Sequence, residues 1–120
     1  MQLAPEPQEN PYPALFSPLR LGGVQLKNRI VHASISTRLG AQGALGEAYL
    51  RYCQTRARGG AGMLVTEPVG LGSWQNPMRL PAYEPTHLVG LERLADAVLS
   101  HQCHLVAQIQ DPGRGRHIPG

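Results

Sequence analysis

Three apolar runs in this sequence each give way to a polar, glycine- or proline-rich stretch, and the residues able to do chemistry gather at those changes. Ser34, Ser36, Thr37 and Arg38 follow Arg29-Ile30-Val31-His32-Ala33, and Glu67 and Pro68 follow Met63-Leu64-Val65-Thr66. Gln108 lies within Leu105-Val106-Ala107-Gln108-Ile109, with Asp111 and Arg114 just beyond it. A Gln side chain offers a donor and an acceptor to an amide-like edge, and backbone N–H groups beside small residues can approach a planar ligand. An ionised Asp such as Asp111 accepts hydrogen bonds without donating them. Glu67 invites a general-base label, against which stands the role of a structural carboxylate.

Plainer readings accompany these. Asp111-Pro112-Gly113 is also an ordinary turn sequence, Gln108 can be a polar residue at a strand end, and single arginines are mostly solvated charge. His101 and His104 have a metal-ligand spacing, but only Cys103 lies near enough to help, so no metal is read here. Gly59-Gly60-Ala61-Gly62 looks like half a dinucleotide loop, yet it precedes an apolar run instead of following one, which makes it a helix stop.

Composition narrows the classes. The formal charge is +3, and ten of the eleven cations are Arg, a residue suited to carboxylate, phosphate or carbonyl oxygen. They are spread along the chain with no basic stripe interleaved with aromatics, so a nucleic-acid binder is not indicated. Cys53 and Cys103 lie far apart with no CxxC, which reads as reduced, buried thiols. Residues 1–13 are Pro- and Gln-rich and acidic, not a charged-then-apolar leader, and no run approaches a membrane span. A cytoplasmic location is the expectation.

The elements that would position the candidate residues follow from periodicity. Residues 1–14 read as an extended tail. Leu19-Arg20-Leu21, Gly22-Gly23 and Val24-Gln25-Leu26 read as a two-residue hairpin in which both glycines can take positive φ. Residues 29–33 read as a buried strand and 34–46 as a loop. Over 47–58 the spacing of Ala48, Leu50, Cys53 and Ala57, with Tyr49 and Tyr52, predicts a helix that Gly59-Gly60 ends as left-handed caps. Residues 63–66 form a second strand, and 67–85 a long loop. Thr86 is a candidate N-cap for a helix over 87–101 with Leu88, Leu91, Leu94, Ala95, Val98 and Leu99 on one face. Residues 105–109 form a third strand.

Strands alternating with helices imply parallel pairing and right-handed crossovers. In such folds ligands collect at the C-terminal ends of the strands, where all three polar stretches begin. The rim so formed suits the pyrimidine edge of a flavin, which is itself an imide.

The segments Leu15–Val31 (LFSPLRLGGVQLKNRIV), Tyr49–Tyr52, Arg56–Glu67 (RARGGAGMLVTE) and Ala107–Arg114 (AQIQDPGR) carry a family resemblance. They resemble the old yellow enzyme-like NADH:flavin oxidoreductases, in the branch holding 2,4-dienoyl-CoA reductases and methylamine dehydrogenases. The resemblance implies an α/β fold: the N-terminal part of a (β/α)8 TIM barrel, with a hairpin floor, three parallel strands and two helices over residues 15–120. A closed barrel of this kind takes ~250 residues, so this sequence is read as an incomplete N-terminal fragment.

The resemblance places the backbone of Ala33, Ser34, Ile35 and Ser36 against the flavin near N5 and O4, Pro68 beside the isoalloxazine, and Gln108 on the pyrimidine. Asp111 stands where the family usually has His. It becomes the catalytic candidate, and Arg38, Asp111 and Arg114 the substrate-facing set. The implied cofactors are FMN and NAD(P)H as reductant, with a 4Fe-4S cluster allowed only in a later part of the barrel. The implied partners are a small-molecule substrate, reached by ene-reduction or by amine demethylation or dehydrogenation, and a homo-oligomer or complementary chain. Against this stand a truncated non-catalytic remnant, or split-protein piece, and a small independent α/β binding module.

Overall fold

The computed structural model describes residues 9–40, 44–72 and 79–111. The first eight residues of the expected tail, residues 41–43 and 73–78 of the two loops, and residues 112–120 with Arg114 lie outside the described residues. No described helix is long and apolar enough to cross a membrane.

The hairpin is formed by β1 (Leu19–Leu21) and β2 (Val24–Leu26), antiparallel with Leu19 opposite Leu26 and Leu21 opposite Val24. Only Gly22 takes a positive φ, +56°. A two-residue turn with positive φ at its first position alone needs a glycine only there, so Gly23 does not share that role. The hairpin is latched at several points. The Lys27 ammonium donates to the His101 carbonyl at 2.7 Å, and His104 Nε2 lies 3.0 Å from the Gln25 carbonyl. Asn28, itself buried, donates from Nδ2 to the Gly60 carbonyl at 2.7 Å and accepts from the Ile30 N–H at 3.1 Å.

Beyond the hairpin the chain alternates: β3 (Val31–His32), α1 (Glu47–Arg58), β4 (Met63–Val65), β5 (Val69–Gly70), β6 (Leu80–Pro81), α2 (Leu88–Leu99), β7 (His104–Val106) and β8 (Ile109–Gln110). The first parallel sheet has the order β3-β4-β7, and the second, also parallel, the order β6-β5-β8. The 67–85 stretch is therefore not all loop, and the third strand is not continuous: it breaks at Ala107 and Gln108. Pro68 is the local cause on the β4 side, since it has no N–H to give a ladder.

His32, Leu64 and Leu105 stand in register across the first sheet and face the helices. Leu64 is fully buried among Tyr49, Cys53 and Ala57 of α1 and Leu94 and Val98 of α2. The spacings 49/53/57 and 94/98 are single turns of helix, so each helix presents one narrow stripe. The wider stripes expected from the sequence are trimmed. Ala48 is exposed, and Leu88 and Leu99, at the two ends of α2, are more than half exposed. On the opposite face of the sheet Val31 and Val106 are also exposed, so β3 is not the fully buried strand its composition suggests.

The helix ends differ in detail from expectation. Gly59 is right-handed at φ −72°, and only Gly60, at φ +109°, takes the left-handed region. Thr86 sits inside a 3₁₀ turn (Pro85–His87) that leads into α2. Glu84 precedes that turn: its N–H donates to His87 Nδ1 at 3.1 Å and its carbonyl accepts the His87 N–H at 3.0 Å. Pro85, favoured in a first helical turn because its missing N–H is not needed there, starts the helical path one residue before Thr86. Cys53 and Cys103 are free and buried, and burial pushes the Cys53 thiol up to about 11.

Candidate functional site

The ladder between β4–β5 and β7–β8 changes register partway along. Val65 pairs with Val106, but Val69 pairs with Ile109. Three residues, Thr66, Glu67 and Pro68, therefore oppose two, Ala107 and Gln108. This is a one-residue bulge, a device that re-aims side chains and recurs beside active sites. Hydrogen bonds close it on both sides: the Thr66 N–H donates to the Val106 carbonyl at 2.9 Å and the Val69 N–H to the Gln108 carbonyl at 2.8 Å. The Thr66 hydroxyl oxygen accepts the Gln108 N–H at 3.1 Å.

The bulge lies at the C-terminal ends of β4 and β7. It makes Pro68 and Gln108 neighbours across the strands, Pro68 half-buried and Gln108 exposed. The segment after β3 is tied to the same place. The Thr37 N–H and Oγ1 donate to Glu67 Oε2 at 2.9 and 2.8 Å. Ala33, Ile35 and Ser36 are exposed and Ser34 half-buried. Next to Thr37, Arg38 is exposed and left-handed at φ +57°. Asp111 is exposed one residue past β8. The three segments singled out in the sequence thus converge at one end of the sheet. Within them Pro68 and Gln108 are adjacent, and Ser36 is joined to Glu67 through its neighbour Thr37.

Several contributors escape sequence reasoning. Tyr49, read only as part of an apolar stripe, aims its hydroxyl at the bulge and accepts the Glu67 N–H at 2.9 Å. Burial raises the Tyr49 phenol above its ordinary value, with the Glu67 N–H pulling the other way. Thr66 serves through its hydroxyl, and Arg79, just before β6, donates from Nη1 to Gln110 Oε1. The one legible signal was Pro68 itself: a proline three residues past a buried strand marks a ladder about to break.

An FMN ring needs an imide-matching side chain, close backbone and an apolar face. The exposed Gln108 amide, the small Ala33 and Ser34, and the exposed Ile35 at this rim fit that list. At the other end of the strands a cavity of about 450 Å³ opens under the hairpin, lined by Pro18, Leu26, Leu99 and Cys103 among others. Chemistry in parallel α/β folds belongs to the C-terminal end.

Residues 14–118 match the NADH:flavin oxidoreductase / NADH oxidase family. The chain belongs to that family. It is 34% identical over 104 residues to a metal reductase of Desulforamulus reducens, and 30% identical over 112 residues to an N,N-dimethylglycine/sarcosine dehydrogenase of Chromohalobacter salexigens. Each match takes in 86% of this chain and 16% of the relative, so the chain spans about a sixth of the length of these proteins. Among solved structures it superposes on a 2-naphthoyl-CoA reductase with a TM-score of 0.81 at 27% identity, covering 88% of this chain and 17% of that one. It also superposes on the old yellow enzyme of Pichia sp. with a TM-score of 0.78 at 22% identity, covering 86% and 28%. The three strands and two helices are thus the N-terminal part of an old yellow enzyme-like TIM barrel.

Proposed function

We propose that this chain supplies the first strands and the pyrimidine-side rim of an FMN-dependent oxidoreductase that draws electrons from NAD(P)H. The bulge carries the reading, because it sets Pro68 and Gln108 side by side at the end of the strands where such barrels do chemistry. Bound FMN would supply hydride transfer through its N5. The Gln108 amide would pair with the imide edge, Pro68 would pack beside the ring, and the backbone of Ala33, Ser34, Ile35 and Ser36 would approach the N5 and O4 side.

For the substrate, the reading is an amine, cationic or N-methylated. Asp111 occupies a place where a His would donate to a carbonyl, and a carboxylate instead attracts a positive nitrogen. The Chromohalobacter relative is named for N-methylated amine substrates, which is the same class. Arg38, and Arg114 beyond the described residues, would meet an anionic part of such a substrate.

The first strands alone are not expected to be active, so a purified chain that is yellow, keeps its colour through gel filtration and bleaches with NAD(P)H would defeat the reading as a non-catalytic remnant. Colourless chain that takes up no added FMN would favour that remnant reading over this proposal. In the loaded protein, Asp111→Ala should raise KM for an N-methylated amine and leave reduction by NAD(P)H alone; unchanged amine turnover would sink the amine assignment.

A second reading rests on the exposed Val31 and Val106, which share one side of the β3-β4-β7 sheet. On that reading the chain gains a complete site only beside a complementary chain carrying further strands, and is non-catalytic without it.

A further inference from the structure

Among the described residues, Glu67 is the charged side chain that is fully buried, at 3% exposure. Burying a carboxylate is costly unless specific bonds repay it. Here the bonds all run one way. Oε2 accepts both the N–H and the hydroxyl of Thr37, while Oε1 is buried without a partner. The backbone N–H of Glu67 is held separately by Tyr49. Whatever this side chain holds in place, it holds through Thr37.

Thr37 passes the hold onward. Its Oγ1 accepts the Leu39 N–H at 3.1 Å, which bends the chain around Arg38. Arg38 is left-handed at φ +57°, a conformation that a residue with a Cβ keeps only where its surroundings over-determine it. Glu67 is the middle of the three residues that oppose two in the bulge, and from there its side chain meets the segment after β3 at Thr37.

We propose that Glu67 is the positioning residue of this rim: through Thr37 it fixes the turn presenting Ser36 and Arg38, and through its own N–H it fixes the place of Pro68. The proposal rests on the reading that the rim faces a flavin. Glu67 touches neither cofactor nor substrate. Its charge is incidental and its bond geometry is what matters, so Glu67→Gln should serve in its place. With its amide oxygen in the place of Oε2, Gln accepts both the Thr37 N–H and the Thr37 hydroxyl, and its NH₂ takes the place of the unpartnered Oε1.

Two measurements on the protein, with and without FMN, test this. The first is amide hydrogen exchange without FMN. In Glu67→Ala, exchange at Thr37 and Leu39 should rise about tenfold or more, because a local opening loses its restraint. Exchange at Leu64 and Val98 should hold, and Glu67→Gln should restore the wild-type pattern. If Glu67→Ala does not fold, Thr37→Val takes its place and should speed exchange at Leu39. Unchanged exchange in the alanine or valine variant, or a glutamine variant as loose as alanine, would overturn the proposal. The second is FMN titration, where Glu67→Ala should weaken binding about tenfold, the scale of one lost hydrogen bond to a buried group, and shift the bound flavin's absorbance band. Glu67→Gln should reverse both. Faster exchange at Thr37 and Leu39 with unaltered FMN affinity and spectrum would sink the flavin-facing reading of the rim and leave the clamp standing. Wild-type protein that binds no FMN would sink that reading before any substitution is made.

Discussion

The middle and the ends of the same three strands are built on different rules. In the middle, β3, β4 and β7 keep one register, and His32, Leu64 and Leu105 line up beneath two helices. At the C-terminal ends the register slips by one residue. There a buried carboxylate is held by a threonine, and Arg38 takes a left-handed turn. The middle is regular because packing rewards regularity: each helix needs only one residue per turn to fill the gap over the sheet. The ends are irregular because polar groups there must be aimed, and a straight ladder cannot aim them. Stability should therefore reside in the middle and binding at the ends, and substitutions should separate the two.

The largest effect belongs to the middle. Leu64 is fully buried at the junction of α1, α2 and the sheet, so Leu64→Ala should cost about 2–5 kcal/mol, read by chemical denaturation. Molecules that remain folded should bind FMN as before. A variant that lost FMN affinity while keeping its denaturation midpoint would break the division.

The next concerns pH. Burial raises the Cys53 thiol to about 11, so the folded state keeps its proton where the unfolded chain gives it up. Stability from this source is complete below the ordinary thiol range and fades as pH climbs through about 11. The loss is on the order of 2 kcal/mol. Denaturation midpoints from about pH 8 to about pH 11, roughly the thiol range, should fall less steeply in Cys53→Ala than in the parent. The slope is the readout, since the alanine also removes packing volume. Equal slopes would mean that Cys53 ionises in the folded chain without penalty.

A third, smaller effect tests the seam where the hairpin meets the sheet. A Cβ at Gly62 would lie 2.6 Å from Asn28 Oδ1 and 2.9 Å from its carbonyl oxygen. The Asn28 amide cannot swing away freely, because it bridges Gly60 and Ile30. Gly62→Ala should cost about 1–3 kcal/mol, seen as a lowered Tm. Asn28→Ala should relieve part of the clash, so the double variant should lose less than the sum of the two single ones.

The same contrast explains what the sequence disclosed. The hairpin, the α1 bounds and the alternation of β3, β4 and β7 with the two helices were readable because each repeats a period or ends at a glycine pair, whereas β5 and β6 lay unread within the expected loop. The wider apolar stripe expected on α2 was not all used, because only Leu94 and Val98 face the packed layer. The size of the slip was not readable: Pro68 marks where a ladder breaks, but a one-residue shift is a relation between two segments some forty positions apart. Tyr49 was hidden for a related reason. In a helical stripe it looks like packing, and only the fold reveals that its hydroxyl meets the Glu67 N–H. The family resemblance named Pro68 and Gln108, but it took the slipped register to make them neighbours.

The smallest effect on stability should come with a clear effect on binding. Gln108 is exposed, and its backbone, not its side chain, closes the bulge through Thr66 and Val69. Gln108→Ala leaves those backbone bonds in place, so unfolding free energy should move by less than about 0.5 kcal/mol. The lost side chain is the one expected to match both a donor and an acceptor of the flavin imide, so FMN affinity should fall about tenfold or more. Gln108→Glu sharpens the comparison, because a carboxylate keeps an acceptor but loses the donor, and should bind FMN worse than alanine does. If Gln108→Ala unfolds the protein more than Leu64→Ala does, the ends of the strands carry stability after all. If both Gln108 variants bind FMN like the parent, the imide edge lies elsewhere on the barrel.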